Sequence, residues 1–307
     1  MRVAGARRAG FCATCPAMNR NARFRQKLQD PALMHAMSAH NPLSARLAAE
    51  AGFDAIWGSG FELSASYAVP DANILSFGQH LDMMRAIAAA VDVPLIADID
   101  TGFGNAVNVS YVVPQYEAAG CSAIVMEDKT FPKDTSLRAA GRQELVRIEE
   151  FQGKVEAACG ARRDPDFCVI ARTEALIAGM GQSEALARAA AYEAAGADAI
   201  LIHSKQSTPD EILSFAAAWR GGVPLVLVPT AYPQLRESDI QALGNVGLVI
   251  YGNHAIRAAV GAMRDVFARI RRDGGIHEVD ASLPAVKEII ALQGDAGMRE
   301  LERRYLK

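Results

Sequence analysis

With 307 residues, 50% of them hydrophobic and 22% charged, the chain can bury a full core, as two domains or as one large α/β barrel. A formal net charge of −3 argues against a nucleic-acid binder or a basic membrane-surface protein. No apolar run approaches the roughly 20 residues needed to cross a bilayer.

The opening, "MRVAGARRAGFCATCPAMNRNARFRQ", is basic and lacks the apolar stretch of a secretory signal. It reads as a disordered extension over 1–27, ahead of a single barrel domain over 28–307, in a cytoplasmic protein. Cys12 and Cys15 form a C-x-x-C, but neither a second cysteine pair nor a histidine pair completes a zinc set, and no βαβ pattern surrounds it. Cys121, Cys159 and Cys168 sit among apolar residues and read as small core side chains.

From residue 33 the elements alternate. "LMHAMSAH" (33–40) is an apolar run of strand length. "AEAGFDAIWGS" (49–59) begins a phrase that recurs as "YEAAGCSAIVMED" (116–128), "YEAAGADAILIHS" (192–204) and, more loosely, "ALGNVGLVIYGN" (242–253). Each copy reads as a helix end, a glycine suited to the left-handed C-terminal cap, then a short strand. "VPLIADID" (93–100), "FCVIART" (167–173) and "VPLVLVPT" (223–230) fall between the copies. That makes eight strand candidates separated by amphipathic helix patterns, the signature of an α/β fold of the (β/α)8 TIM-type barrel. A doubly wound open sheet competes less well, because no G-x-G-x-x-G follows the first strand. After the eighth strand, "AIRAAVGAMRDVFARIRRDGG" (255–275) reads as a closing helix. "LPAVKEIIALQGDAGMRELERRYLK" (283–307) then adds C-terminal helices whose apolar stripe suits a partner subunit.

Barrel chemistry gathers at the C-terminal ends of the strands. There the chain places Trp57, Gly58, Ser59, Gly60 and Phe61, then Asp98 and Asp100, Glu127 and Asp128, Arg172 and Glu174, His203 and Ser204, Pro229 and Thr230, and Asn253 and His254. Asp98, Asp100 and Glu127 would repel one another in one pocket unless a cation compensates them. Each acid pairing with a neighbouring Arg or Lys is the plainer account; for three acids on adjacent strands a hard divalent ion, Mg²⁺ above all with Mn²⁺ or Co²⁺ as substitutes, is the better one. Arg172 and His203 suit a dianionic substrate, since Arg forks onto phosphonate or carboxylate oxygens. The glycine-flanked N–H groups of "GSGF" (58–61) can cradle a carboxylate, and Trp57 either walls the pocket or belongs to the core.

"WGSGFELSASYAVPD" (57–71), "LIADIDTGFGN" (95–105), "AIVMEDKTFPKDTS" (123–136) and "VIARTEALIAG" (169–179) resemble the phosphoenolpyruvate mutase and isocitrate lyase superfamily. The likeness runs from about residue 33 to the C-terminus and is nearest to members that cleave the P–C bond of 3-phosphonopyruvate into pyruvate and phosphate. It implies that Asp98 binds Mg²⁺ directly and that Asp100 and Glu127 act through metal waters. It further implies that residues 57–61 hold the substrate carboxylate, with Arg172 and His203 on the phosphonate side and Asp71 near the reacting phosphorus. Residues 127–136 become a gating loop that carries Lys133 and Thr135 into the closed site. A helix-swapped homodimer or homotetramer is also implied, with a small phosphonate or 2-oxo acid as substrate and neither nucleic acid nor membrane as partner.

Two departures narrow the activity. Lyases of the superfamily use a K-[KR]-C-G-H loop, whose Cys and His are absent here, which disfavours a C–C lyase or oxaloacetate hydrolase. Mutases carry Asn in a K-x-N pattern where this chain has Lys133-Asp134-Thr135, and a threonine suits a site in which water receives the phosphoryl group. Mutase activity remains the alternative, and a barrel that binds an oxyacid without turning it over is the non-enzymatic one.

Overall fold

Short apolar runs joined by helices can pair only in parallel, and right-handed crossovers close them on themselves. The computed structural model, which describes residues 19–138 and 141–306, has this form. Strands β1 (Met34–Ala39), β2 (Ala55–Gly58), β3 (Leu95–Asp98), β4 (Ala123–Glu127), β5 (Cys168–Thr173), β6 (Ala199–Ile202), β7 (Leu225–Leu227) and β8 (Val246–Tyr251) pair in chain order, and β8 closes on β1. Closure excludes the open doubly wound sheet. The glycines of the repeated phrase do what its pattern requires: Gly120 and Gly196 take φ of 92° and 99° between helix and strand.

Two apolar layers follow from the alternation of side chains along each strand. Residues such as Leu95, Ile124 and Ile200 face outward onto the helices. Ile96, Val125, Ile170, Leu201 and Val226 fill the barrel interior. Of the cysteines, Cys121 and Cys168 are buried and Cys159 is half-buried on the outer side, so it is less of a core residue than its surroundings imply.

At the N-terminus the structure differs from the expected boundary. Cys12, Cys15 and the first part of the expected extension lie outside the described residues, but Arg20–Leu28 is a helix capped by Asn19. Its Phe24 and Leu28 plug the N-terminal mouth of the barrel and join the interior cluster. Arg25 reaches Asp198 at 2.8 Å. The helix carries only these two buried apolar side chains, one turn apart among basic and polar residues, so its sequence resembles that of a solvated extension.

After β8 come the long helix His254–Asp273 and the short helices His277–Asp280, Val286–Leu292 and Asp295–Tyr305. The last two have no buried residues. Among the described residues no helix is long and apolar enough to cross a membrane.

Candidate active site

A step of two residues along a strand returns to the same face. Asp98, Glu127, Arg172 and His203 each lie two positions beyond an interior residue (Ile96, Val125, Ile170 and Leu201), so they face the barrel axis one layer higher. Trp57 stands in the same relation to Ala55. Here the 127–136 segment folds inward as a roof. The result is a cavity of about 60 Å³ lined from the strand side by Trp57, Ser59, Phe61 and Asp98, and by Arg172 and His203 opposite. Asp71 enters from the β2–β3 connection, Lys133 and Thr135 from the roof, and Thr230 and Asn253 close the wall. A larger hollow of about 580 Å³ at the other end of the barrel is lined by backbone-rich turns and contains one carboxylate, Asp30, so it offers no comparable chemistry.

The acids are gathered but not as a bare trio. Among the described residues, no three His, Cys, Asp or Glu side chains close into a metal-holding group. Lys133 Nζ lies 2.5 Å from Asp100 and 2.9 Å from Asp71, while Arg172 Nε lies 3.3 Å from Glu127. Asp98 is met by the Gly60 N–H at 3.3 Å and the Asp100 N–H at 3.4 Å. Both local charge pairing and a shared strand-end cluster are therefore present.

Spare acceptors remain. Glu127 Oε1 is buried and has no hydrogen-bond partner among the described residues; nor has Asp100 Oδ1, which is close to Lys133 but poorly aligned with it. Burial pushes the Asp98 carboxyl above the usual carboxylate range, against the pull of Lys133 and Arg172. Burial likewise lifts Asp100 to about 7. Carboxylates so reluctant to ionise, with unused oxygens and no soft ligand nearby, fit a hard divalent cation that keeps several waters. The backbone is shaped to the same end. Asp100 is left-handed at φ 52°, and its carbonyl accepts the Glu127 N–H at 2.8 Å. A Cβ on Gly60 would stand 3.0 Å from Asp100 Oδ1, so a glycine lets this turn approach the acids.

Glu174 organises the opposite wall. Fully buried, it accepts Arg172 Nε at 2.5 Å and Ser136 Oγ at 2.5 Å, and lies 3.2 Å from Lys129 and 3.4 Å from His203. Its own N–H is fixed by Asp128, which also accepts from Tyr192 at 2.7 Å and Arg188 at 3.1 Å. Burial works against ionised Glu174, yet Arg172, Lys129 and His203 hold its pKa well below the usual range. Burial also keeps His203 below the ordinary histidine value. His203 Nδ1 stands between two charges, 3.1 Å from Arg172 Nη2 and 3.4 Å from Glu174 Oε1.

Of the expected site residues, Gly58 alone turns away. A Cβ there would meet Met84 Sδ at 2.3 Å, so it packs β2 against the helix Phe77–Ala90 instead of lining the cavity. Sequence reasoning left Glu174 and Ser136 without a role and missed Asn73. Asn73 Nδ2 donates to Asp100 at 2.9 Å, and its Oδ1 accepts the Lys133 N–H at 2.6 Å, which clasps the roof to the acid loop. Its place two residues after Asp71 was the available signal, and in the structure it takes a left-handed φ of 55°, a conformation asparagine tolerates.

Comparison with known proteins gives the family. The family model described as phosphoenolpyruvate phosphomutase matches residues 24–271. The chain is 75% identical over 290 residues to phosphonopyruvate hydrolase of Variovorax sp. (strain Pal2), spanning 94% of this chain and 100% of that one. It is 40% identical over 284 residues to phosphoenolpyruvate phosphomutase of Tetrahymena pyriformis, spanning 92% and 94%. A crystal structure of phosphonopyruvate hydrolase in complex with oxalate and Mg²⁺ superposes with a TM-score of 0.90 at 73% identity, covering 94% of this chain and 100% of that one.

Proposed function

The chain belongs to the phosphoenolpyruvate phosphomutase family, and from that premise we propose that it is a Mg²⁺-dependent hydrolase that cleaves the P–C bond of 3-phosphonopyruvate to give pyruvate and phosphate. The observation that carries this reading is the near-complete match, at 75% identity, to a phosphonopyruvate hydrolase over that protein's whole length.

In this reading the segment 57–61 receives the substrate carboxylate, and Asp98, supported by Asp100 and Glu127, would hold Mg²⁺. When bound, the metal supplies Lewis-acid stabilisation of the charge that develops on the C2 oxygen. Arg172, His203 and the Lys133 ammonium face the phosphonate oxygens and balance the loose, metaphosphate-like group during transfer. The P–C bond breaks with its electron pair passing to carbon. Water forms the new P–O bond and releases a proton, and C3 of the pyruvate enolate takes one up. Asp71 lies beside Lys133 at 2.9 Å; burial opposes its ionisation, but Lys133, Thr135 and Arg172 hold its pKa below the usual carboxylate range. It therefore stays a carboxylate positioned to orient water. The roof excludes bulk solvent while this happens.

Thr135 lines the cavity at the position where the mutase pattern has asparagine. Thr135→Asn is expected to divert product toward phosphoenolpyruvate or to slow phosphate release by about tenfold, a change of about 1.4 kcal/mol in barrel-site barrier. Unchanged kinetics and products would make Thr135 a bystander. The function itself is tested by pyruvate release from 3-phosphonopyruvate before and after chelation. Release that chelator abolishes and added Mg²⁺ restores is expected; absence of release with metal present would refute it.

The same reading makes the protein a cytoplasmic homo-oligomer. Phe267, Val286, Ile290, Leu301 and Tyr305 on the C-terminal helices are exposed in a single chain. An apolar surface of this kind suits exchange of helices with a second copy, as a dimer or tetramer.

A further inference from the structure

Lys154 takes no part in the reaction above, yet it is among the most deeply buried charged residues, only 2% exposed on the helix Ile148–Ala161. Its Nζ donates to the backbone carbonyl oxygen of Thr101 at 3.1 Å. Among the described residues it has no ion-pair partner; the charge that reaches it is that of Glu150, one turn earlier and exposed. A lone ammonium out of water is costly. Burial accordingly draws its pKa below the ordinary lysine value.

The carbonyl it holds lies in an unusual segment. Asp100, Gly102, Phe103 and Gly104 take φ of 52°, 86°, 59° and 148°, so left-handed backbone crowds into the few residues after Asp98. Asp100 and Phe103 are not glycine, and each such residue costs on the order of 1–2 kcal/mol, which the surroundings must offset. One end is held by the Glu127 N–H on the Asp100 carbonyl, the other by Asn105, which caps the helix Ala106–Ala118. Thr101, fully buried between them, is tied across to a different helix by Lys154.

We propose that Lys154 is a positioning residue for the metal-holding acids. By clamping the Thr101 carbonyl it keeps the strained 99–105 segment in the form that presents Asp98 and Asp100 to Mg²⁺. The inference rests on the reading of those two residues as the metal's acids.

Lys154→Met removes the donors while keeping an unbranched apolar stem only one atom shorter. The test is calorimetric titration of the full chain with Mg²⁺ in the presence of oxalate, together with backbone hydrogen exchange of residues 99–105 in the metal-free protein. The expected result is a Mg²⁺ Kd weakened by about tenfold, the low end of what outer partners of metal ligands contribute. Exchange in 99–105 should quicken, with little change in Tm because an unpaired buried charge has been removed. Lys154→Arg, which keeps a cationic donor, should fall between the two. A Kd within about twofold of the parent, against the tenfold expected, overturns the proposal, and so does a drop in Tm with Kd unchanged. Should the parent chain itself bind no Mg²⁺, the metal reading fails, while the exchange difference at 99–105 still decides whether Lys154 is a clamp. If Lys154→Met does not fold, Lys154→Leu, shorter but likewise without a donor, is judged by the same two measurements.

Discussion

Asp98→Ala is expected to lower kcat/KM for 3-phosphonopyruvate by about 10³-fold or more, equal to about 4 kcal/mol of transition-state stabilisation. Asp98 is buried at the C-terminal end of β3 and lines the cavity, where among the described residues its oxygens meet only two long backbone N–H contacts. It is thus the freest of the three acids to hold a cation, since Asp100 is engaged in part by Lys133 and Glu127 in part by Arg172. Folding should not suffer. Burial already makes the Asp98 charge unfavourable, with Lys133 and Arg172 offsetting it in part, so its removal should leave the Tm of the metal-free protein unchanged or raised. Steady-state kinetics across a Mg²⁺ series and a thermal melt check both halves. A variant that keeps its rate removes Asp98 from the metal site, and one that loses rate because it unfolds assigns the residue to the fold instead.

Glu174→Gln is expected to act in the opposite way, on stability and activity together. The carboxylate is a counter-charge of the largely buried Arg172, which also has Glu127, and among the described residues the one counter-charge of the fully buried Lys129. Breaking a buried pair by removing one partner leaves an uncompensated charge and costs about 3–5 kcal/mol. The same loss frees Arg172 and His203 from the geometry that aims them at the cavity, and an accompanying fall of about 10² in kcat/KM follows from misplaced contacts. The pH dependence has a definite sign. The folded-state pKa of Glu174 is held well below its unfolded value, against burial, by Arg172, Lys129 and His203. Its stabilisation is therefore fully present above the unfolded pKa of about 4.3 and is lost as pH falls toward the folded value. Denaturant melts of parent and variant should differ by a constant amount from neutral to mildly alkaline pH, and the difference should shrink on acidification below the unfolded pKa. A difference that grows on acidification would mean that Glu174 is not ionised in the fold.

What could be read from the sequence and what could not divide along a physical line. Period-two alternation is local, so the runs ending in Asp98, Glu127, Arg172 and His203 carried both the strands and the direction of those four side chains. The repeated glycine before every second strand marked the helix ends for the same reason. Long-range satisfaction of buried groups leaves no such local trace. Glu174 is a hub because elements distant in sequence bring Lys129, Ser136 and His203 to it. Asn73 matters because the roof folds down onto it, and Lys154 because its helix crosses the acid loop. The Arg20–Leu28 helix was hidden by its own polarity: two apolar side chains suffice to plug a barrel mouth but are too few to register as a periodic pattern. Gly58 misled for the reverse reason. Its place beside Ser59 and Gly60 suggested a shared role, whereas alternation turns it outward against Met84.

The most direct test of the central claim is phosphorus NMR of 3-phosphonopyruvate turned over by the Mg²⁺-loaded protein in water carrying a heavy oxygen isotope. Inorganic phosphate bearing one solvent oxygen, formed in step with pyruvate and with no phosphoenolpyruvate signal, is the expected result. Phosphoenolpyruvate accumulating in place of labelled phosphate would contradict it.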